Sequence, residues 1–228
     1  MNIKLRILHP VILIFMVLMI SIMELKSQSS IGVKAGGTYS TIDLSTLPAE
    51  VSLNYTIGSV LGIIYKNQHK KNLGLQLEAN FIQKGWDQEN TTSLESIERI
   101  VNYFNVTMLS QLYFGRKKTR AFINAGPFLG YALSSSVTES VNGGESKYAY
   151  DFDPHEDNRY EYGLIGGAGI SRKIGFGNLH LEGRYFFGFN NLFNPYDDQV
   201  DFTQSKIMGF AISLGYLVYL NANNSSSP

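Results

Sequence analysis

The residues able to do chemistry are few. Four histidines occur (His9, His69, His155 and His180), and there is no cysteine anywhere in the 228 residues. A thiol nucleophile, a disulfide framework, a cysteine metal site and a lipid-acceptor cysteine are therefore excluded. No G-x-S-x-G elbow, phosphate loop or H-E-x-x-H pair is present. His155 with Asp197 or Asp198 could activate a water, and His180 stands beside Glu182, where a packed imidazole is the simpler reading. The expectation is a non-enzymatic protein with no cofactor.

Two other constellations carry charge. The stretch "YDFDPHEDNRYE" and the later "PYDDQVD" supply hard oxygen ligands, so a cation held by Asp151, Asp153, Asp157 and Asp197 is chemically reasonable. It is not an EF-hand: counted from Asp151, position six is Glu156 and position twelve is Tyr162, where that loop needs Gly and Glu. A solvated acidic loop is the plainer reading, and no resident metal is expected. The second set, Lys34, Glu78, Glu161, Glu182 and Arg184, is spread along the chain and needs an architecture to bring it together.

That architecture is legible in "LHLEGRYFFGF". Leu179, Leu181, Tyr185, Phe187 and Phe189 share one parity, and His180, Glu182 and Arg184 the other. Successive strand side chains point to opposite faces, so this is a strand with one apolar and one charged face. The same split recurs. Leu73, Leu75, Leu77, Ala79 and Phe81 oppose Gln76, Glu78 and Asn80; Tyr160, Tyr162, Leu164 and Ile170 oppose Glu161, Gly163 and Gly167. Eight strands are expected, near 31–40, 56–66, 72–84, 98–115, 119–134, 159–173, 177–188 and 206–220. About ten residues is the length that crosses a bilayer at a tilt. "TIGSVLGIIYK" is nearly two-sided and decides nothing.

Connections alternate between short ("NQHKK", "RKKT", "IGF") and long (41–55, 85–97, 135–158, 189–205). In an up-and-down barrel, alternate connections share an end, and outer-membrane barrels have short turns at one end and long loops at the other. Tyr39, Tyr65, Phe114, Tyr131, Tyr160, Phe187, Phe189, Tyr216 and Tyr219 gather at strand ends, as interfacial girdles require. The reading is all-β: an eight-stranded antiparallel up-and-down transmembrane β-barrel with lipid outside and charge within. The five buried charges would pair into a salt-bridged plug, because eight strands leave room only for side chains.

The ends bound the rest. Lys4 and Arg6 precede an apolar run from Val11 to Met23 and then "ELKSQSS", the order of a secretory signal. The expected organisation is a signal at 1–28, a barrel at 29–220 and a polar tail at 221–228. With 19 basic and 19 acidic residues there is no electrostatic footprint for nucleic acid.

"SQSSIGVKAGGTYSTI", "NAGPFLGYAL", "YEYGLIGGAGI", "RYFFGFNNL" and "GFAISLGYLVYL" resemble the PorT-like family of small outer-membrane β-barrels, similar in architecture to the OmpA and OmpX type. The resemblance implies an outer-membrane location in a Gram-negative bacterium, and its founding example implies an association with protein secretion. One departure is that the last strand is followed by "NANNSSSP" rather than ending the chain on an aromatic. The functional expectation is a monomeric envelope anchor in contact with outer-membrane lipid. Its long loops would meet envelope or secretion-system proteins in adhesion or secretion. The alternative is a soluble, exported lipocalin-like barrel holding an apolar ligand.

Overall fold

A computed structural model describes residues 28–44, 51–70, 72–90, 95–115, 118–141, 144–153, 157–193 and 204–220. For His69 and Lys70 it describes the backbone only. The expected signal at 1–28 (apart from Gln28) and the tail at 221–228 lie outside these residues, as do His155, Glu156, Asp197 and Asp198.

The described residues form nine strands: β1 (Gln28–Leu44), β2 (Val51–Lys70), β3 (Leu73–Asn90), β4 (Glu95–Phe114), β5 (Thr119–Val141), β6 (Gly144–Tyr150), β7 (Tyr160–Ile174), β8 (Gly177–Gly188) and β9 (Ser205–Tyr219). Every pairing is antiparallel. β1 pairs with both β2 and β9, and β4 pairs with β5, so eight strands close into a ring. The ninth, β6, lies outside the ring and pairs with the upper part of β5, from Ser135 to Val141. The eight-stranded barrel is thus observed with one correction: the segment 135–158 is not a plain loop but carries the end of β5 and the strand β6. Segment 85–97 is likewise mostly strand, since β3 runs to Asn90 and β4 begins at Glu95.

Strands of 17 to 23 residues on β1 to β5 are about twice what a bilayer requires. Their outward faces show where the excess lies. On β3 the outward row reads Leu73, Leu75, Leu77, Ala79, Phe81 and then Gln83, Gly85, Asp87, Glu89. The inward row reads Gln76, Glu78, Asn80 and then Ile82, Lys84, Trp86. The alternation never slips; its polarity inverts. Facing outward, the apolar run extends from Ile31 to Tyr39 on β1, Phe104 to Phe114 on β4, Ala121 to Tyr131 on β5 and Phe210 to Val218 on β9. Runs of this length match the about 9–11 residues of one tilted crossing.

Aromatic side chains rim this band. Tyr39 stacks on Tyr55 with ring centroids 4.5 Å apart, and Tyr131 meets Tyr160 edge-on at 5.2 Å. Tyr219 departs from its expected girdle role: it faces the inner base of the barrel, where its hydroxyl accepts from Asn178 at 2.6 Å. Register shifts on β2 between Tyr55 and Val60, and between β4 and β5 at Asn102/Tyr103, reset the faces where the two halves join. The two-sided look of "TIGSVLGIIYK" has another origin: Val60 and Ile64 point inward while Ile57, Leu61 and Ile63 point outward.

Above the band the interior becomes an apolar core. Ile42, Ile82, Trp86, Val101, Phe186 and Ile207 are among its buried members. The physical reason is the change of solvent. Inside the bilayer the outer surface must be apolar and the lumen can be polar; where the outer surface meets water, the interior must supply the apolar burial.

Candidate functional site

The buried charges at mid-barrel and above come from the inward rows of β1, β3, β4, β7 and β8, except Asp157, which precedes β7. Arg184 on β8 and Glu78 on β3 lie on strands four apart in a ring of eight, and so span its diameter. The guanidinium engages both Glu78 oxygens, at 2.8 and 2.6 Å. Lys34 on β1 donates to the same carboxylate at 2.7 Å, and Asn80 adds a donor at 3.1 Å. Arg184 also reaches Glu182 at 2.7 Å, and Glu182 accepts from Ser213 at 3.1 Å and Asn124 at 3.3 Å. Two cations and two carboxylates therefore neutralise one another in a space from which all four side chains exclude water. Room for the arginine stem comes from β7: a Cβ at Gly167 would lie 2.9 Å from Arg184 Cγ.

Of the five expected residues, four (Lys34, Glu78, Glu182 and Arg184) form this cluster. The fifth, Glu161, sits higher and binds Lys84 with both oxygens, at 2.8 and 2.7 Å. The Lys84 ammonium is enclosed by rings, 4.6 Å from the centroids of Phe128 and Phe186 and 5.3 Å from Tyr103. A third pair closes the mouth. Arg99 donates to Asp157 at 3.2 Å and lies 3.8 Å from the Tyr150 ring centroid, with Trp86, Phe152 and Phe193 around it. Asp157 and Phe193 form an isolated β-bridge, tying the two segments that cover the opening.

Lys84, Arg99 and Lys66 were not among the expected residues. Lys84 and Arg99 fall inside the expected strands 72–84 and 98–115 on the inward rows, but at their ends, where an apolar interior had not been foreseen to enclose a charge. Lys66 faces inward on the lower part of β2 and donates to the Tyr113 hydroxyl, which donates in turn to Gln111 at 2.7 Å.

The acidic loop residues do not converge. Asp157 is turned inward to Arg99 and also accepts from the Asp153 amide at 3.1 Å, while Asp151 and Asp153 are exposed; Asp197 lies outside the described residues. Among the described residues, no group of three or more His, Asp or Glu is placed to hold a metal ion. His180 Nε2 and Ser171 Oγ are 3.1 Å apart, both buried at the base of the lumen with the His180 ring against Phe122.

Comparison with known proteins gives a consistent fold. Residues 24–194 match a family model described as an outer membrane protein beta-barrel domain. No curated protein matches the sequence. Among solved structures, the chain is similar to AlkL in DMPC lipid bilayers, with 13% identity, coverage of 89% of this chain and 94% of that one, and a TM-score of 0.50. It is similar to OprG from Pseudomonas aeruginosa, with 12% identity, 86% and 97% coverage, and a TM-score of 0.48. Ail from Yersinia pestis gives 14% identity, 83% and 99% coverage, and a TM-score of 0.42.

Proposed function

Because the chain belongs to the outer membrane protein β-barrel domain family, a family of the outer membrane of Gram-negative bacteria, we propose that it is a monomeric, non-enzymatic envelope anchor. Its lumen is plugged, and its raised mouth is the working surface. Export by the Val11–Met23 segment and a secretion-associated role of the PorT-like kind belong to the same reading. The observation that carries it is the Arg184–Glu78 pair across the barrel's diameter, locked by Lys34. A lumen crossed by buried ion pairs, with a ring-enclosed Lys84 above and Arg99 at the mouth, supports a structural rod rather than a conduit.

A soluble barrel with an apolar ligand is disfavoured by the outward faces: Leu181, Ile212 and Leu164 are half-exposed or more, at 51%, 66% and 52%. Among the described residues, the cavity between Tyr103, Glu161, Leu192 and Ile207 has a volume of about 10 Å³, no more than a water occupies. The non-enzymatic reading draws on the absence, among the described residues, of an exposed nucleophile–base pair.

Reconstitution in planar bilayers tests the plug. The intact protein should insert without current steps, whereas replacing Arg184, Lys34 and Glu78 together by Ala should give a measurable conductance. Open, steady current through the unaltered protein would overturn the proposal. Photo-crosslinking from Tyr148, exposed on β6, would then identify what the mouth meets in cells.

A further inference from the structure

The turn end of the barrel is electrically one-signed. Among the described residues Lys66, Lys118, Arg120, Arg172 and Lys173 lie there, and in the sequence the stretches 62–77, 109–138 and 162–181 contain no Asp or Glu and nine of the 19 Lys and Arg. At the opposite end the described residues include Asp43, Asp87, Glu89, Glu95, Glu98 and Glu139. Charged turns are commonly just hydrated, so position decides whether these cations have a partner.

Arg172 has an informative position. It shares the outward parity of β7 with Ile170 and Ile174, which are 51% and 45% exposed. Its cross-strand partners are Thr119 on β5 and Leu179 on β8, and Leu179 is paired in turn with Tyr216 on β9. The row Thr119–Arg172–Leu179–Tyr216 therefore runs around the outside of the barrel at the lower edge of the apolar band, one pair below Ala121, Ile170, Leu181 and Leu214. Lys118 adjoins this row, held there by its carbonyl, which accepts from the Lys173 amide at 2.8 Å. Neither Arg172 nor Lys118 has a carboxylate partner among the described residues. Beside them Phe176 projects from the β7–β8 turn, 72% exposed, with its ring edge-on to Tyr216 at 5.9 Å.

A guanidinium and a hydroxyl on the lipid-facing surface at the hydrocarbon edge, with Lys118 exposed at the adjoining turn and exposed aromatics beside them, match one kind of partner. It must bring a phosphate and an apolar body side by side. Building on the membrane reading above, we propose that Arg172, Lys118 and Thr119 bind the phosphate headgroup of an anionic phospholipid in the leaflet at the turn end, with Phe176 and Tyr216 against its glycerol and upper acyl region. Each cation near an anionic surface contributes about fivefold to such a preference, and the contribution falls with salt. The effect is to fix the barrel's depth and to gather an anionic annulus around one sector, β5 to β9.

The test reconstitutes the folded full chain in phosphatidylcholine vesicles containing spin-labelled phosphatidylglycerol or spin-labelled phosphatidylcholine. The motionally restricted fraction of each label is then measured. The unaltered protein should restrict phosphatidylglycerol several-fold more strongly, and high salt should erase the difference. Arg172→Gln with Lys118→Gln should lose most of the preference, Arg172→Lys should keep it, and Glu98→Gln at the other end should leave it unchanged. A double variant that retains the full preference would overturn the proposal. So would displacement by inorganic phosphate beyond chloride of matched ionic strength, which would assign the site to a free anion. Restriction of neither label would instead mean that the chain does not sit in the bilayer, and the membrane reading itself would fall.

Discussion

At the scale of single residues, the lumen is governed by what a buried charge loses when its partner goes. Arg184 holds both Glu78 and Glu182 at hydrogen-bonding distance, and it reaches Glu78 across the full width of the barrel. Arg184→Met leaves two carboxylates to share Lys34, which is 2.7 Å from one and 3.9 Å from the other. Orphaning a confined charge costs about 3–5 kcal/mol, so urea unfolding in vesicles should show a loss of that order. Asp153→Asn, at an exposed carboxylate, should fall within about 0.5 kcal/mol of the unaltered protein. Arg184→Lys should lie between, because an ammonium keeps the charge but loses the two-pronged geometry. Equal stability of Arg184→Met and Asp153→Asn would show that the cluster does not hold the barrel together. The Lys84 site rests on a different balance: its ammonium has one carboxylate and three aromatic rings, so packing carries more of it.

At the scale of strands, the period-two pattern was enough to locate all eight ring members, and it also placed Lys34, Glu78, Glu161, Glu182 and Arg184 on inward rows. It did not reveal where the strands end. β3 shows why: the signal used was an apolar outward face, and that face stops at Phe81 although the strand runs on to Asn90. Beyond Phe81 the apolar residues Ile82 and Trp86 are on the other parity, so the continuation looks like loop unless an inversion is allowed for. β6 was illegible for another reason. Its residues are exposed on both faces, so "GESKYAY" has no burial pattern to read. The inversion predicts a depth-dependent response to charge. Ile212→Arg, outward in the middle of the band, should destabilise by about 2–4 kcal/mol. Thr138→Arg, on the same side of the wall but above the band and opposite Glu98, should be close to neutral. Unfolding midpoints of the two variants in vesicles check this; comparable losses at both positions would mean that the upper wall is also in hydrocarbon.

At the scale of the whole molecule, one set of strands carries two barrels end to end: a membrane barrel with an ion-paired lumen, and above it a water-bathed one with an apolar core. Stacking them explains the strand lengths, since the upper section lifts the mouth clear of the headgroups while keeping it on rigid, continuously hydrogen-bonded walls. It also gives the molecule a polarity. β1 begins and β9 finishes at the end where Lys118, Arg172 and Lys173 lie, and β6 with the Arg99–Asp157 closure is at the other. An exported chain threaded from the periplasm should place its turns there and send the raised mouth outward. The absence of native cysteine makes this directly measurable, because any introduced thiol is unique. Ser140→Cys, near the tip of β5, should react in intact cells with a polymer-linked maleimide too large to pass porins. Asn72→Cys, exposed at the start of β3, should react only after the outer membrane is opened. The reverse result would turn the barrel over, putting the acidic rim in the periplasm and the basic one at the cell surface.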